Sequence, residues 1–266
     1  MDLLSVRGEG LYVNNLYVMS LNHAAYLARA QGYIADYRAY KAKEKLIRTH
    51  INKQFWFTGE YNIIKLLKTS FGTDFKAKDF TKDGKLKWES SLPKKEILKN
   101  DSYYLSYIAF RSLGERFDSF GNMLAILSGT AGKKRGEQIL RFIEKYKLAD
   151  SYPIRAIYPS IQPKDRDWRP YYRYANRNLP DQYHNGGVWP FLGGWYVVVL
   201  VHQKQHDKAK EALVALARLN QKGRWGFNEW FHGRTGIPMG ARYQAWSAGM
   251  YIYAYEAVKA QRLPFF

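Results

Sequence analysis

The sequence predicts an all-α protein, and two observations carry that expectation. Apolar residues recur at three- and four-residue spacing over most of the chain, the period of a helix with one buried face. The intervals between these stretches are rich in proline, glycine and aromatic residues, which end helices and turn the chain. Helices joined by such loops pack as antiparallel pairs.

The elements follow in order. Leu16, Met19, His23 and Leu27 form one stripe on a segment from about Asn14 to Gln31, where Gly32 supplies a stop. A second helix is expected from about Ile34 through Phe55. Residues 72–100, with the turn signal Thr81-Lys82-Asp83-Gly84, form a lysine-rich excursion that can hold a short hairpin. Further helices are predicted over 101–113, 118–128 and 133–147. In 151–189 the prolines at 153, 159, 163, 170 and 180 leave no room for a helix, yet the segment carries Tyr158, Trp168, Tyr171, Tyr172, Tyr174 and Tyr183. Helices are then expected over 190–203 and 206–219, a glycine-rich aromatic loop over 223–240, and a last helix over 241–260. In that last helix Trp246, Met250, Tyr253 and Ala254 make a helical stripe. Long loops with this aromatic content argue for function and against disorder.

A chain of 266 residues can build one large core or two modest ones, and no Gly/Ser or proline linker splits it, so residues 1–266 are taken as one domain. Hydrophobic residues at 46% and charged residues at 24% are ordinary, whereas 17% aromatic, with 22 Tyr and 8 Trp, is high. Those rings serve as core, binding surface, or both. The absence of cysteine excludes disulfides and thiolate metal sites and fits the cytoplasm. The first residues carry an early acid and no sustained apolar run, unlike a secretory signal. The longest apolar stretch, around Trp195 to Val201, is far too short to span a bilayer.

The formal charge is +19, from 42 Lys and Arg against 23 Asp and Glu, which raises the question of nucleic acid. The excess is diffuse: bases between Lys41 and Lys99 alternate with Glu44, Glu60, Asp74, Asp79, Asp83, Glu89 and Glu96. No zinc-finger, RNP or helix-turn-helix pattern accompanies it, so the surplus reads as solvated surface and no nucleic-acid partner is expected.

Two segments carry the chemistry: Tyr183-His184-Asn185-Gly186-Gly187-Val188-Trp189-Pro190-Phe191, and Gly226-Phe227-Asn228-Glu229-Trp230-Phe231-His232-Gly233. Ring faces, neutral hydrogen-bonding groups and one carboxylate are the inventory of a sugar-handling site. Glu229, flanked by Asn228 and Trp230 and close in sequence to Trp225 and His232, can activate water at an anomeric carbon while the indoles exclude solvent and stack on a pyranose. The bland reading of Glu229 is a helix cap or a partner for one of the many arginines. His184 and Asn185 both donate and accept hydrogen bonds, which suits sugar hydroxyls, although a lone histidine is more often structural. Gln244 and Trp246 can face the same site from the entry of the last helix. His202 and His206 have the i,i+4 spacing of a metal pair, but the segment lacks the glutamate of a zincin and reads as an exposed helix end, so no metal is expected. No phosphate-binding glycine loop, serine elbow or dinucleotide fingerprint is present.

Three motifs together resemble a known family. They are Tyr183-His184-Asn185-Gly186-Gly187-x-Trp189-Pro190, then Asn228-Glu229-Trp230-x-His232-Gly233-x-Thr235-Gly236-x-Pro238-x-Gly240, then Gln244-Ala245-Trp246-Ser247-Ala248. The pattern is similar to the C-terminal half of inverting glycosidases with an (α/α)6 toroid: the amylo-α-1,6-glucosidase (glycogen debranching) proteins first, the neutral/alkaline invertases second. Asp2, Arg7-Gly8, Tyr12 and Asn14 follow the order of the family's general-acid motif, without its upstream tryptophan, and Arg116-Phe117-Asp118, Gly121-Asn122 and Ala125-Ile126-Leu127 resemble an invertase-like helix. The resemblance implies an incomplete toroid, the second part of the barrel, because the acid falls at the second residue and about eight helices stand where twelve make a ring. It further implies that Asp2 protonates the glycosidic oxygen while Glu229 deprotonates a water on the opposite face, the two carboxyl groups standing about 6.5–9.5 Å apart. Tyr183, His184, Asn185, Trp189, Trp225, Trp230, His232, Gln244 and Trp246 would bind an oligo- or disaccharide, without cofactor or metal. An upstream fragment or another copy of the chain would complete the barrel. A non-catalytic carbohydrate-binding remnant is the rival reading.

Overall fold

The computed structural model describes residues 4, 8–56, 82, 97–98, 100–109, 112–176 and 178–264. Although no linker is legible in the sequence, these residues fall into two compact units, Val6–Arg116, and Phe117–Phe266 with Met1–Ser5.

The first unit is built on a helical hairpin, α1 (Leu11–Ala30) and α2 (Ile34–Gln54). Gly32 ends α1 as the sequence predicts: at φ +79° it lets its own N–H reach Arg29 O and the Tyr33 N–H reach Ala28 O, satisfying two terminal carbonyls. The buried face is not the predicted stripe. Leu11, Asn15, Val18, Leu21, Ala25 and Ala28 are buried, Met19 joins them, and Leu16 and Leu27 are exposed. The apolar residues of α1 go nearly all round the helix, so periodicity alone did not fix which face turns inward. Within α2, buried Glu44 accepts from Lys41 and Arg48, each at 2.9 Å, and Lys41 also donates across the hairpin to Asn22 of α1.

Over its described residues, the predicted helix at 101–113 is instead non-helical and largely extended. Strands β1 (Glu9–Gly10), β2 (Tyr107–Ala109) and β3 (Ser112–Leu113) form an antiparallel sheet, with Ile108 paired to both Glu9 and Leu113. Tyr103, Tyr104, Leu105 and Ser106 are consecutive and all buried, which no single helix face can achieve because four successive residues sweep most of a turn. The predicted hairpin within 72–100 lies almost wholly outside the described residues.

The second unit contains α3 (Ser119–Leu127), α4 (Lys133–Lys145), α5 (Pro190–His202), α6 (His206–Lys222) and α7 (Ala245–Ala260). Helix α5 is its axis. It starts on Pro190, whose missing N–H costs nothing at that position, and it is buried on nearly every side against α3, α6 and α7. Gly194 lets α7 approach: a Cβ there would sit 2.8 Å from Met250 O. His202 and His206 do not share a helix face, because α5 ends at the first and α6 begins at the second. On α7 the wholly buried residues are Ser247, Ala254 and Ala257; of the stripe from Met250 onward, Ala254 is buried and Met250 and Tyr253 are half-buried, while Trp246 is half exposed. The proline-rich interval is non-helical apart from a 3-10 segment, Pro170–Asn176, whose Tyr172 packs with Ile157, Ile161, Leu4 and Trp168. Two short ladders, β4 (Phe117–Asp118) with β5 (Ile157–Tyr158) and β6 (Trp230–Phe231) with β7 (Pro238–Met239), fix the loops between helices. Among the described residues no helix is long and apolar enough to cross a membrane.

Candidate functional site

The three motif segments are sewn together by backbone hydrogen bonds. Val188 and Phe231 exchange both N–H···O bonds, at 2.9 and 2.7 Å, which joins the 183–189 loop to β6. Gly233 N–H donates to Asp181 O at 2.7 Å. Tyr243 N–H donates to Gly226 O at 2.6 Å and Gln244 N–H to Phe227 O at 3.1 Å, which seats the entry of α7 on the 224–229 loop. Glycine is required where these segments meet, since a Cβ on Gly233 would collide with the carbonyl oxygen of Gly186. Asp181, Tyr183, Arg224, Trp225, Phe227 and Tyr243 all hold φ between 41° and 65°, the left-handed region that costs a non-glycine residue roughly 1–3 kcal/mol. Such strain concentrates where a surrounding framework holds side chains for a purpose.

Glu229 is half-buried at the edge of the β6–β7 hairpin, and its backbone N–H donates to Ala241 O at 2.8 Å. Its Oε2 accepts from the Ala241 N–H at 3.3 Å, and a Cβ on Gly240 would lie 2.6 Å from that oxygen. Gly240, at φ +67°, therefore leaves the room the carboxylate occupies. Half-buried His184 lies flat on Trp189, ring centroids 4.6 Å apart and planes 3° from parallel. Tyr183 packs between His184, Trp189 and Trp230 at 4.2, 4.9 and 5.9 Å. Tyr183, Trp189 and Trp230 are buried, and the Trp189 indole N–H is used on Tyr183 O at 3.1 Å, so these rings cover one another behind His184. Trp225, at 49% exposed, and Trp246, at 51%, offer open indole faces, and Gln244 is half-buried at the N-cap of α7.

Asn185 departs from its expected role. It is wholly buried, its Oδ1 accepts from the Ile161 N–H at 2.6 Å, and its Nδ2 donates to Ile161 O and Asn178 O, both at 2.9 Å. With both amide hydrogens and the oxygen committed to backbone, it clamps the loop and cannot read hydroxyls. His232 accepts at Nδ1 from the N–H groups of Arg234 (3.2 Å) and Thr235 (3.4 Å), which makes it a turn cap with its proton on Nε2. Burial holds its pKa below the ordinary histidine value, while Asp181 opposes and Arg234 and Arg155 reinforce that shift. Asp2 lies outside the described residues.

The sequence reading missed Asp181, the hub of this region. Burial opposes its ionisation, yet hydrogen bonds from Arg234 (2.7 and 3.2 Å) and Ser160 (2.9 Å), with the nearby Arg155 charge, hold its pKa below the usual carboxylate range. The signal was an acid directly before the Gln-Tyr-His-Asn run with Arg234 just past the second motif, but nothing in the spacing shows that the two meet.

A family model described as "Alkaline and neutral invertase" matches residues 2–260. The chain belongs to this family. Rice (Oryza sativa subsp. japonica) neutral/alkaline invertase 1, mitochondrial, is 23% identical over 261 residues, 94% of this chain and 40% of that protein. Rice cytosolic invertase 1 is 27% identical over 157 residues, 57% of this chain and 27% of its own length. The chain thus spans less than half the length of these invertase relatives. A bacterial glucoamylase solved with acarbose superposes on 96% of this chain and 34% of its own, with a TM-score of 0.61 at 13% identity. At that identity the likeness shows the fold alone, an (α/α)6 toroid of which this invertase-family chain forms a part. Of the two families the motifs resemble, these matches fall with the invertases and not with the debranching glucosidases placed first.

Proposed function

We propose that this chain carries the water-activating part of an inverting glycosidase site of the invertase kind, acting on the α-glucosidic bond of sucrose. The observation that carries the reading is the setting of Glu229: one carboxylate, anchored through Ala241 and half open to solvent, among loops that also present His184, Trp225, Gln244 and Trp246. In this reading the free carboxylate oxygen takes a proton from a water as that water bonds to the anomeric carbon. The glycosidic C–O bond breaks on the opposite face, and its oxygen leaves with a proton from Asp2, the acid that the family motif implies. Trp225 and Trp246 stack on the sugar, and His184 and Gln244 exchange hydrogen bonds with its hydroxyls.

The chain's share of its relatives' length supports a further element. A separate or preceding segment, or a second copy, completes the ring, and the exposed Ile252 and Tyr255 of α7 are apolar surface for it. The same coverage favours one second reading, a carbohydrate-binding remnant without turnover. A cytoplasmic location is part of the proposal, supported by the cysteine-free composition.

The test is Glu229→Gln in a completed barrel. Sucrose turnover should fall by about 100- to 10,000-fold with sugar affinity nearly unchanged, because the amide keeps the hydrogen-bonding reach but cannot accept the water's proton. Proton NMR during turnover should show the inverted anomer first. Near wild-type turnover of the variant, or retained configuration, removes Glu229 from this role; binding with no turnover in the unaltered completed barrel selects the remnant.

A further inference from the structure

A concavity of about 470 Å³ opens between the end of α4, the middle of α5 and the first half of α6. It shares no residue with the Glu229 region and stands apart from the glycosidase reading. Its charged lining is Glu144, Asp150 and Glu211 against Lys208 alone, in a chain where bases outnumber acids by 42 to 23. Lys208 is already committed, since its ammonium group pairs with Glu144. Asp150 and Glu211 are left to face the opening with no cation paired to them among the described residues.

The acids are not the whole case. Tyr196 of α5 is part of this lining, is 8% exposed, and among the described residues its hydroxyl has no hydrogen-bond partner. Burial, then the charges of Glu144 and Asp150, push its pKa up to about 12, so the hydroxyl stays protonated close to two carboxylates. Its neutral hydroxyl oxygen, on a side chain that lines the cavity, can accept from an ammonium N–H. Ile143 and Glu144, in the last turn of α4, belong to the same lining, and a helix C-terminus carries a partial negative charge.

The geometry points to a binding site for a small aliphatic diamine or polyamine, one ammonium accepted by Tyr196 and Asp150 and a second by Glu211. The remaining walls, Ile143 and Ala212 among them, are apolar and suit a methylene chain between two charged ends. A bare metal ion fits less well, because among the described residues no three acid or imidazole groups converge as ligands.

Titration of the whole chain with 1,4-diaminobutane by calorimetry at low salt tests this. The expected result is one saturable site, weakened about tenfold by Tyr196→Phe, the loss of one charge-assisted hydrogen bond. A similar or larger loss is expected in the double variant Asp150→Asn, Glu211→Gln, whose exposed sites leave the fold intact if Tyr196→Phe does not fold. Glu137→Gln, an acid of α4 outside the cavity, should bind as the unaltered chain does. No saturable binding, affinity indifferent to both cavity variants, or a Tyr196-dependent response to magnesium alone would overturn the proposal.

Discussion

Asp118 and Asp181 are both buried carboxylates of the second unit, yet the protein treats them in opposite ways. Asp118 caps α3: Oδ1 accepts from the Phe120 N–H at 3.1 Å, and burial pushes the pKa up to about 6 against the opposing pull of the Gly121 and Phe120 N–H groups. Asp181 is also penalised by burial, but two arginines and a serine outweigh that penalty and hold its pKa down. Burial alone therefore does not decide ionisation; the partners do. The two surroundings differ for a physical reason. Around Asp118 a helix already satisfies the backbone, and the N–H groups of its first turn are the carboxylate's neighbours. Around Asp181 several residues sit in strained backbone conformations, and ionic ties bind loops that no helix orders.

The largest effect should come from cutting those ties. Asp181→Ala removes the acceptor of Arg234 and Ser160 and leaves Arg155 without its carboxylate. A loss of about 3 kcal/mol of unfolding free energy is expected, near the low end for breaking a buried pair because Arg234 itself is largely exposed. Urea denaturation measures it, and a loss below about 1 kcal/mol would show that the hydrogen bonds through Gly233 and Val188 suffice without the charge. Next in size is the pH dependence contributed by Asp118. Its folded pKa lies above its unfolded value, so the folded state binds more protons between about pH 4 and 6, and stability falls as pH rises through that window. The shift from 3.8 to about 6 corresponds to roughly 3 kcal/mol at most. Asp118→Asn keeps the capping oxygen and should flatten that slope; an unchanged slope would assign it to another group. Asp181 works in the other sense, since its contribution is present above the ordinary carboxylate range and is lost as pH falls through its depressed pKa.

The same contrast explains what the sequence revealed. The helices from α3 to α6 were legible from periodicity, and Pro190 marked the start of α5, because local signals and burial agree there. Residues 101–113 were misread because their run of Tyr, Leu and Ile is decided by pairing with β1, a contact about a hundred residues away. In the site, the motif segments proved to be neighbours, and Glu229 stands at the edge of a β6–β7 hairpin within the interval read only as a glycine-rich loop. Side-chain duties were less legible. Asn185 has the chemistry of a hydroxyl reader, but its position against Ile161 and Asn178 turns it into a loop clamp, and only the folded backbone reveals that. Asp181 went unnoticed for the converse reason: its partners at 155, 160 and 234 are scattered along the chain.

The smallest expected effect on stability sharpens the distinction between holding the loops and meeting a ligand. Trp225 and Trp246 are about half exposed, and neither fills the core of the second unit. Replacing either by alanine should change unfolding free energy by no more than about 0.5 kcal/mol, the range of surface substitutions away from caps and buried pairs. In a completed barrel the same changes should weaken sugar binding several-fold, since one aromatic face is worth about 0.5–1.5 kcal/mol beyond its buried area. Asp181→Ala should do the reverse, lowering stability first and binding only as the loops loosen. Measuring both quantities on the three variants separates the roles: if the tryptophan variants lose stability as Asp181→Ala does, the indoles belong to the framework and the ligand-facing surface must be sought elsewhere on these loops.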